Sequence, residues 1–348
     1  MSSTPFDYSL ANAKKPDSQL SSVLASASQF KVFLEGEWLP ILVGVGTVLI
    51  NTASNVLTPF LIAKGIDDYI TKGDLGGLGQ ILLMLGGLYL LAVFAGYLQP
   101  RIIGHVSQRT LFRLRGTLFD KLQSLPARFF QVNRTGDIIS RVNNDTDKLN
   151  SFLSQSIFQF MSSFFSFIGV GIFILFLNLE LAIIVWLAII FVVLATRILS
   201  PIVSKANTRS LTANGAITAQ ASEDLANFKA IVAFNKQSYF NTKFDEINQT
   251  NFRSAFWAQS LNGFFNPVYN LAGNIAQVIV LFVGLGMVAG GTLSVGLLIG
   301  FVSYTQKFYE PLRILGAVWG TMQEALSAWA RVSSVLSMEN NLKILPKN

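Results

Sequence analysis

The sequence has no cysteine and a single histidine, His105, in 348 residues. The first absence excludes disulfides, thiolate nucleophiles and cysteine metal sites, and leaves the compartment open. The second leaves no histidine cluster for a metal centre and no productive Ser/His/Asp set. His105 itself reads as an ordinary interfacial residue. Charge is scarce as well: Asp, Glu, Lys and Arg make up 13% of the chain, against roughly 25% in an average soluble domain. Apolar residues fill the gap, at 51% of the sequence with 29 Phe and a mean hydropathy of +0.48. This balance points to a membrane protein. Residues 1–30 are polar and Ser-rich without an apolar core, so no cleavable signal peptide is expected there. They read as a disordered cytosolic arm.

A spanning helix needs about 20 largely apolar residues. Six stretches qualify: about 38–63, 78–103, 152–177, 181–203, 256–289 and 293–315. The intervening loops alternate in charge. Residues 63–77 hold two Lys against three Asp, whereas 104–151 hold eight cations and 204–255 hold six. The positive-inside rule therefore places both long loops and both termini in the cytosol. It also accounts for the net charge of +7 without a nucleic-acid partner.

The long loops contain few helix breakers. Leu111, Leu114, Leu118, Leu122 and Leu125 follow a three/four rhythm, which is an amphipathic helical stripe. Helix two should thus run unbroken from Leu78 to about Ser124 and protrude far beyond the bilayer. Pro126 then ends it or opens a new helix, "ARFFQ" forms a short helical tip, and "NRTG" a turn. The second loop repeats the plan, with the segment "NGAITAQASEDLANFKAIVAFNKQ" between a descending and an ascending helix. The fold class read from this is all-α: a polytopic membrane protein of six transmembrane helices with long cytosolic helical extensions. A tip carrying Phe129 and Phe130 has two readings, packing against the neighbouring hairpin or plugging a groove on a cytosolic partner.

Beside these stand quoted segments with a family resemblance. "LFRLRGTLFDKLQSLPARFFQVNRTGDIISRVNNDTDKLN" resembles the first intracellular loop of ABC (ATP-binding-cassette) exporters. "ASEDLANFKAIVAFNKQSYFNTKF" resembles the second, and "GTLSVGLLIGFVSYTQKFYEPLRIL" with "ALSAWARVSSVLSME" their sixth helix and its extension. The resemblance covers 31–339, with 340–348 as the start of a linker. It implies that the tips couple the membrane part to a nucleotide-binding domain, through Ala127, Arg128, Phe129, Phe130 and Gln131 and through Gly215, Thr218, Gln220 and Ser222. It favours the docking reading of the Phe pair. It further implies a second transmembrane half, identical or a close paralogue, in a bacterial inner (plasma) membrane. The phosphate loop G-x-x-x-x-G-K-[ST] does not occur in the sequence, so this chain is expected to hold no cofactor. ATP and Mg²⁺ would belong to a nucleotide-binding domain that is cut away or carried on another chain, a cut being the expected case. A channel or scaffold working without a motor is the alternative, and a membrane-embedded enzyme lacks a credible acid–base pair.

Polar residues inside the spans are the candidate pathway for an amphiphilic small molecule, lipid or peptide. Asn262, Asn266, Asn270 and Asn274 recur every four residues, flanked by Gln259 and Gln277. At 100° per residue all six fall within a sector of about 120°. Unpaired amides facing hydrocarbon are costly, so this face should look inward, either bonding to neighbouring helices or lining a water-filled path. Pro267 frees the carbonyl of Gly263 and offers a bending point. Asn51 and Asn55 stand in a second cluster in span one, read as helix glue or cavity lining. Lys307 and Glu310, with Arg313, form either a structural i,i+3 ion set or a substrate contact. Ser162, Ser163 and Ser166 in span three read as hydrogen-bonding glue.

Overall fold

The computed structural model describes Phe33 and residues 35–338; the expected arm (1–30) and linker (340–348) lie outside the described residues. All regular structure among the described residues is helical. Helix α1 covers Trp38–Gly65 and continues as a π-helical turn, Ile66–Ile70. Helix α2 covers Leu75–Ser124 and α3 the short tip Ala127–Val132. Helices α4 (Thr135–Ser140), α5 (Thr146–Ser151) and α6 (Ile157–Leu177) are joined by π-helical turns, Arg141–Asp145 and Phe152–Ser156, into one rising helix. There follow α7 (Leu179–Ala226), α8 (Phe228–Ala233), α9 (Gln237–Gly263), α10 (Phe265–Ala289) and α11 (Val295–Leu336).

The local chemistry explains the boundaries. Asp74 caps α2 by accepting from the amides of Gly76 and Gly77, at 3.0 and 3.1 Å. From there the helix runs 50 residues, about 75 Å at 1.5 Å per residue. Leu125 is extended because Pro126 follows it. Asn178 caps α7 by accepting from Leu181 N at 3.0 Å. Gly136, expected in a turn, instead lies within α4, where Asp137 occupies the first turn and favours the positive end of the helix dipole.

Among the described residues, five stretches are long and apolar enough to cross a membrane: Trp38–Ile70, Leu75–Ser124, Thr135–Leu177, Leu179–Ala226 and Gln237–Ala289. The sixth expected span, 293–315, opens α11. It is long enough, but Gln306, Lys307, Glu310 and Arg313 dilute its apolarity. Phe301, Tyr304, Thr305 and Phe308 of this segment are fully buried. This face of α11 packs against neighbouring helices, whereas Gln306, Glu310 and Arg313 lie on its exposed side.

The chain divides into two compact units, one formed by residues up to Phe173 together with those from Ser294, the other by Ile174–Leu293. In the first, α1 packs on α2 and α11. Beyond the apolar spans, Leu114, Leu118, Leu122 and Leu125 meet Ile138, Leu149, Trp329, Val332 and Val335 in one core. The leucine stripe read from the sequence is the inner face of this core. At the opposite end of α1, Asp67 accepts from Gly296 N at 2.8 Å and from the Ser294 hydroxyl. Gly296 is required by this close approach: a Cβ there would stand 2.2 Å from the carbonyl oxygen of Ala63. In the second unit, α7 packs along α9 and α10.

Candidate functional site

Three polar side chains of the first unit converge at span depth. Lys307 Nζ donates to Asn55 Oδ1 at 3.0 Å, and Asn51 donates to the carbonyl of Thr47 at 3.0 Å. Two cavities share Lys307 and Asn55. One, of about 320 Å³, is also lined by Asn51, Ser54, Thr58 and Ser303. The other, of about 200 Å³, is also lined by Ser162, Ser163, Ser166 and Glu310. Among the described residues no ion pair joins Lys307, Glu310 and Arg313. Lys307 reaches across to Asn55 of α1 instead of closing a direct bond to Glu310, whose charge still acts on it. The serines of span three, expected as glue, face a cavity.

The amide file divides. Asn262 and Asn207 of α7 exchange two hydrogen bonds, 2.8 and 3.3 Å, so this amide is helix glue. Asn266, Asn270 and Asn274 are exposed, and Gln277 is half-buried. The buried positions of α10 are Ala272, Ala276, Val280 and Gly284. Ala272 lies about 200° around the helix from Asn270, and Ala276 the same from Asn274. The three amides thus lie on the side of α10 away from its packing within the second unit. The helix breaks at Phe264, between α9 and α10, beside the carbonyl that Pro267 cannot bond.

The tips differ from expectation in two respects. Phe129 is fully buried in the core of its own hairpin, while Phe130 is exposed beside Arg128 and Gln131. The pair therefore does both things at once, one ring packing and one presented outward, edge-on to each other at 5.2 Å. Gly215–Ser222 is no tip: Gly215, Thr218, Gln220 and Ser222 lie inside α7. A single helical Gly costs only about 1 kcal/mol relative to Ala, too little to break so long a helix. Thr218 and Ser222 return their hydroxyls to carbonyls one turn back, and Gln220 bonds Asp224. The second tip is α8, which exposes Phe228 and Val232 with Phe234 just beyond. Its end is marked by Asn235 at φ 49°, the left-handed position that Asn tolerates, with Lys236 N bonding Ile231 O at 2.9 Å. The signal in the sequence was the pair Asn227 and Asn235, eight residues apart.

The first tip is tied to the far end of α11. Arg331 grips Asp145 through two bonds, and Arg141 donates to the carbonyl of Arg331 and the hydroxyl of Ser334, both at 2.9 Å. The bond to Asp145 raises Arg331 above its ordinary range, whereas burial lowers Arg141. Among the described residues no group of three or more His, Asp or Glu could hold a metal.

These features define a class: a multi-pass, all-helical integral membrane protein with two long hairpins ending in short helices. Residues 41–312 match the family described as ABC transporter transmembrane region, and the chain belongs to that family. It is 29% identical over 289 residues to the uncharacterized ABC transporter ATP-binding protein YfiC of Bacillus subtilis, covering 83% of this chain and 48% of that protein. It is 29% identical over 287 residues to a fatty acid ABC transporter ATP-binding/permease protein of Mycobacterium bovis, covering 82% and 44%. An ATP-dependent lipid A-core flippase of Syntrophus aciditrophicus is 24% identical over 291 residues, covering 84% and 48%. The chain spans about half the length of the curated relatives it matches.

Proposed function

We propose that this chain is the membrane-spanning, substrate-translocating half of an ATP-driven exporter of amphiphilic or hydrophobic substrates. The observation that carries the reading is the set of polar groups held at span depth without being consumed by packing: the cavities around Lys307 and Asn55, and the uncovered Asn266, Asn270 and Asn274. Such groups in a bilayer mark a path or a partner. The relatives named for fatty acids and lipid A-core act on amphiphiles, which suits a cavity wall mixing Ile62 and Tyr89 with amides, hydroxyls and one ammonium. A second half, the same chain or a close paralogue, covers the open amide face. ATP and Mg²⁺ act in a nucleotide-binding domain. Phe130 with Arg128 and Gln131, and Phe228 with Val232, contact that domain at the two tips. Both tips and both termini face the cytosol of a bacterial cell, and the membrane is its inner membrane.

Movement of the tips reaches the spans through rigid links. Closure of the nucleotide-binding domains displaces α3, and the Asp145–Arg331 clamp passes this to α11, which carries Lys307. The break at Phe264 lets α10 tilt against α9. The test is uptake of a fluorescent amphiphile into inside-out vesicles holding the chain together with its nucleotide-binding domain, fused or separate. Uptake should require ATP and Mg²⁺. Equal flux without ATP would replace the exporter by a motor-less channel.

A further inference from the structure

The second unit holds a cavity of about 700 Å³ between α7 and α9, distinct from the path residues above. Lys205 and Arg209 of α7 and Arg253 of α9 line it, and no acidic side chain does. None of the three forms an ion pair among the described residues. Its remaining wall holds the buried Ser254 and an apolar part with Pro201, Ile202 and Trp257, the last two 50% and 63% exposed. Three cations clustered without counter-charge repel one another, so the arrangement is stabilised by whatever anion enters.

The cavity lies where both helices change character. In α7 the apolar run from Leu181 ends at Val203, and Lys205 and Arg209 follow two and six residues later. In α9 Arg253 precedes Trp257 by one turn, and the apolar span opens near Phe256. Trp favours the headgroup level of a bilayer, and cations there attract anionic lipids. We propose that this cavity binds the headgroup phosphate of an anionic phospholipid from the cytosolic leaflet, its acyl chains lying along Pro201 and Ile202. The proposal rests on the topology given under Proposed function. The site is a lipid anchor on the second unit and separate from the transported substrate.

The test uses the chain in nanodiscs with a photoreactive phosphatidylglycerol or, in parallel, photoreactive phosphatidylcholine. Labelling by phosphatidylglycerol should map to peptides containing 201–209 and 253–257, and exceed that by phosphatidylcholine. Each of Lys205→Gln, Arg209→Gln and Arg253→Gln should weaken it about fivefold, as expected for one cation at an anionic surface. Lys236→Gln, away from the cavity, should leave it unchanged and serves as the folded control. Equal labelling by the two lipids overturns the proposal. So does displacement by excess inorganic phosphate, which would make it a site for free anions, and so does crosslinking of these peptides to a second copy of the chain. Topology is read separately by labelling Ser222→Cys with an impermeant maleimide in sealed vesicles; a non-cytosolic result overturns the leaflet assignment while the lipid maps still report on the cavity.

Discussion

Arg331 holds Asp145 in a two-pronged bond, Nε to Oδ2 at 2.8 Å and Nη2 to Oδ1 at 2.5 Å, across 186 residues of sequence. Asp145 is buried and Arg331 is partly open to solvent. The pair fastens the rising helix behind the first tip to the far end of α11. Removing one partner strands a buried charge, which costs more than removing both. Arg331→Met, which leaves Asp145 buried without this partner, should therefore destabilise the chain by about 2 kcal/mol, seen as a lower unfolding midpoint in detergent. The double variant Asp145→Ala with Arg331→Met should lose less than the single one. Additive losses would mean that the two residues act independently.

The two tip phenylalanines should separate cleanly. Phe129→Ala empties a packed core and should cost about 3–5 kcal/mol. Phe130→Ala removes an exposed ring and should change stability by no more than about 0.5 kcal/mol. In vesicles carrying the nucleotide-binding domain, only Phe130→Ala should lower transport per ATP hydrolysed while the protein stays folded. Phe228→Ala in α8 should behave like Phe130→Ala, and Gly215→Ala should not.

Gly296 and Gly286 give a paired steric test. At Gly296 a methyl group would collide with the Ala63 carbonyl and stand 2.7 Å from the carboxylate of Asp67. Overpacking of this kind costs about 1–3 kcal/mol or more. At Gly286 a Cβ meets nothing within 4 Å, and Ala favours the helix by up to about 1 kcal/mol. Gly296→Ala should lower the unfolding midpoint, and Gly286→Ala should hold or raise it.

Lys307→Met distinguishes a structural cation from a pathway one. Asn55 keeps access to the adjoining cavities, where water can replace the lost donor. Stability should hold or rise, while ATP-driven uptake of the amphiphile falls. A loss of stability with transport intact would return Lys307 to a packing role.

Much of this architecture was legible in the chain because it rests on local chemistry. The leucine rhythm from Leu111 to Leu125 gave the full length of α2, and Pro126 its end. The family resemblance implies a second tip at Gly215–Ser222, but the helix formers around Gly215 outweigh one glycine and carry α7 on to Ala226. Phe129 and Phe130 are indistinguishable in sequence, since only the folded hairpin decides which ring its own core takes. The Lys307–Asn55 bond spans 252 residues, and no periodicity encodes it. Asn266, Asn270 and Asn274 share one side of α10, whereas Asn262 in α9 is diverted to Asn207, a partner that only the packing of α7 supplies.

On the proposed function, the uncovered amides Asn266, Asn270 and Asn274 line a water-filled path. The absence of native cysteine makes Asn270→Cys a clean reporter, with Ala276→Cys on the buried face as its control. In vesicles with the nucleotide-binding domain, a water-soluble maleimide should label Asn270→Cys, at a rate that changes between the ATP-bound and nucleotide-free states, and should leave Ala276→Cys unmodified. Complete protection of Asn270→Cys in every nucleotide state would contradict the account.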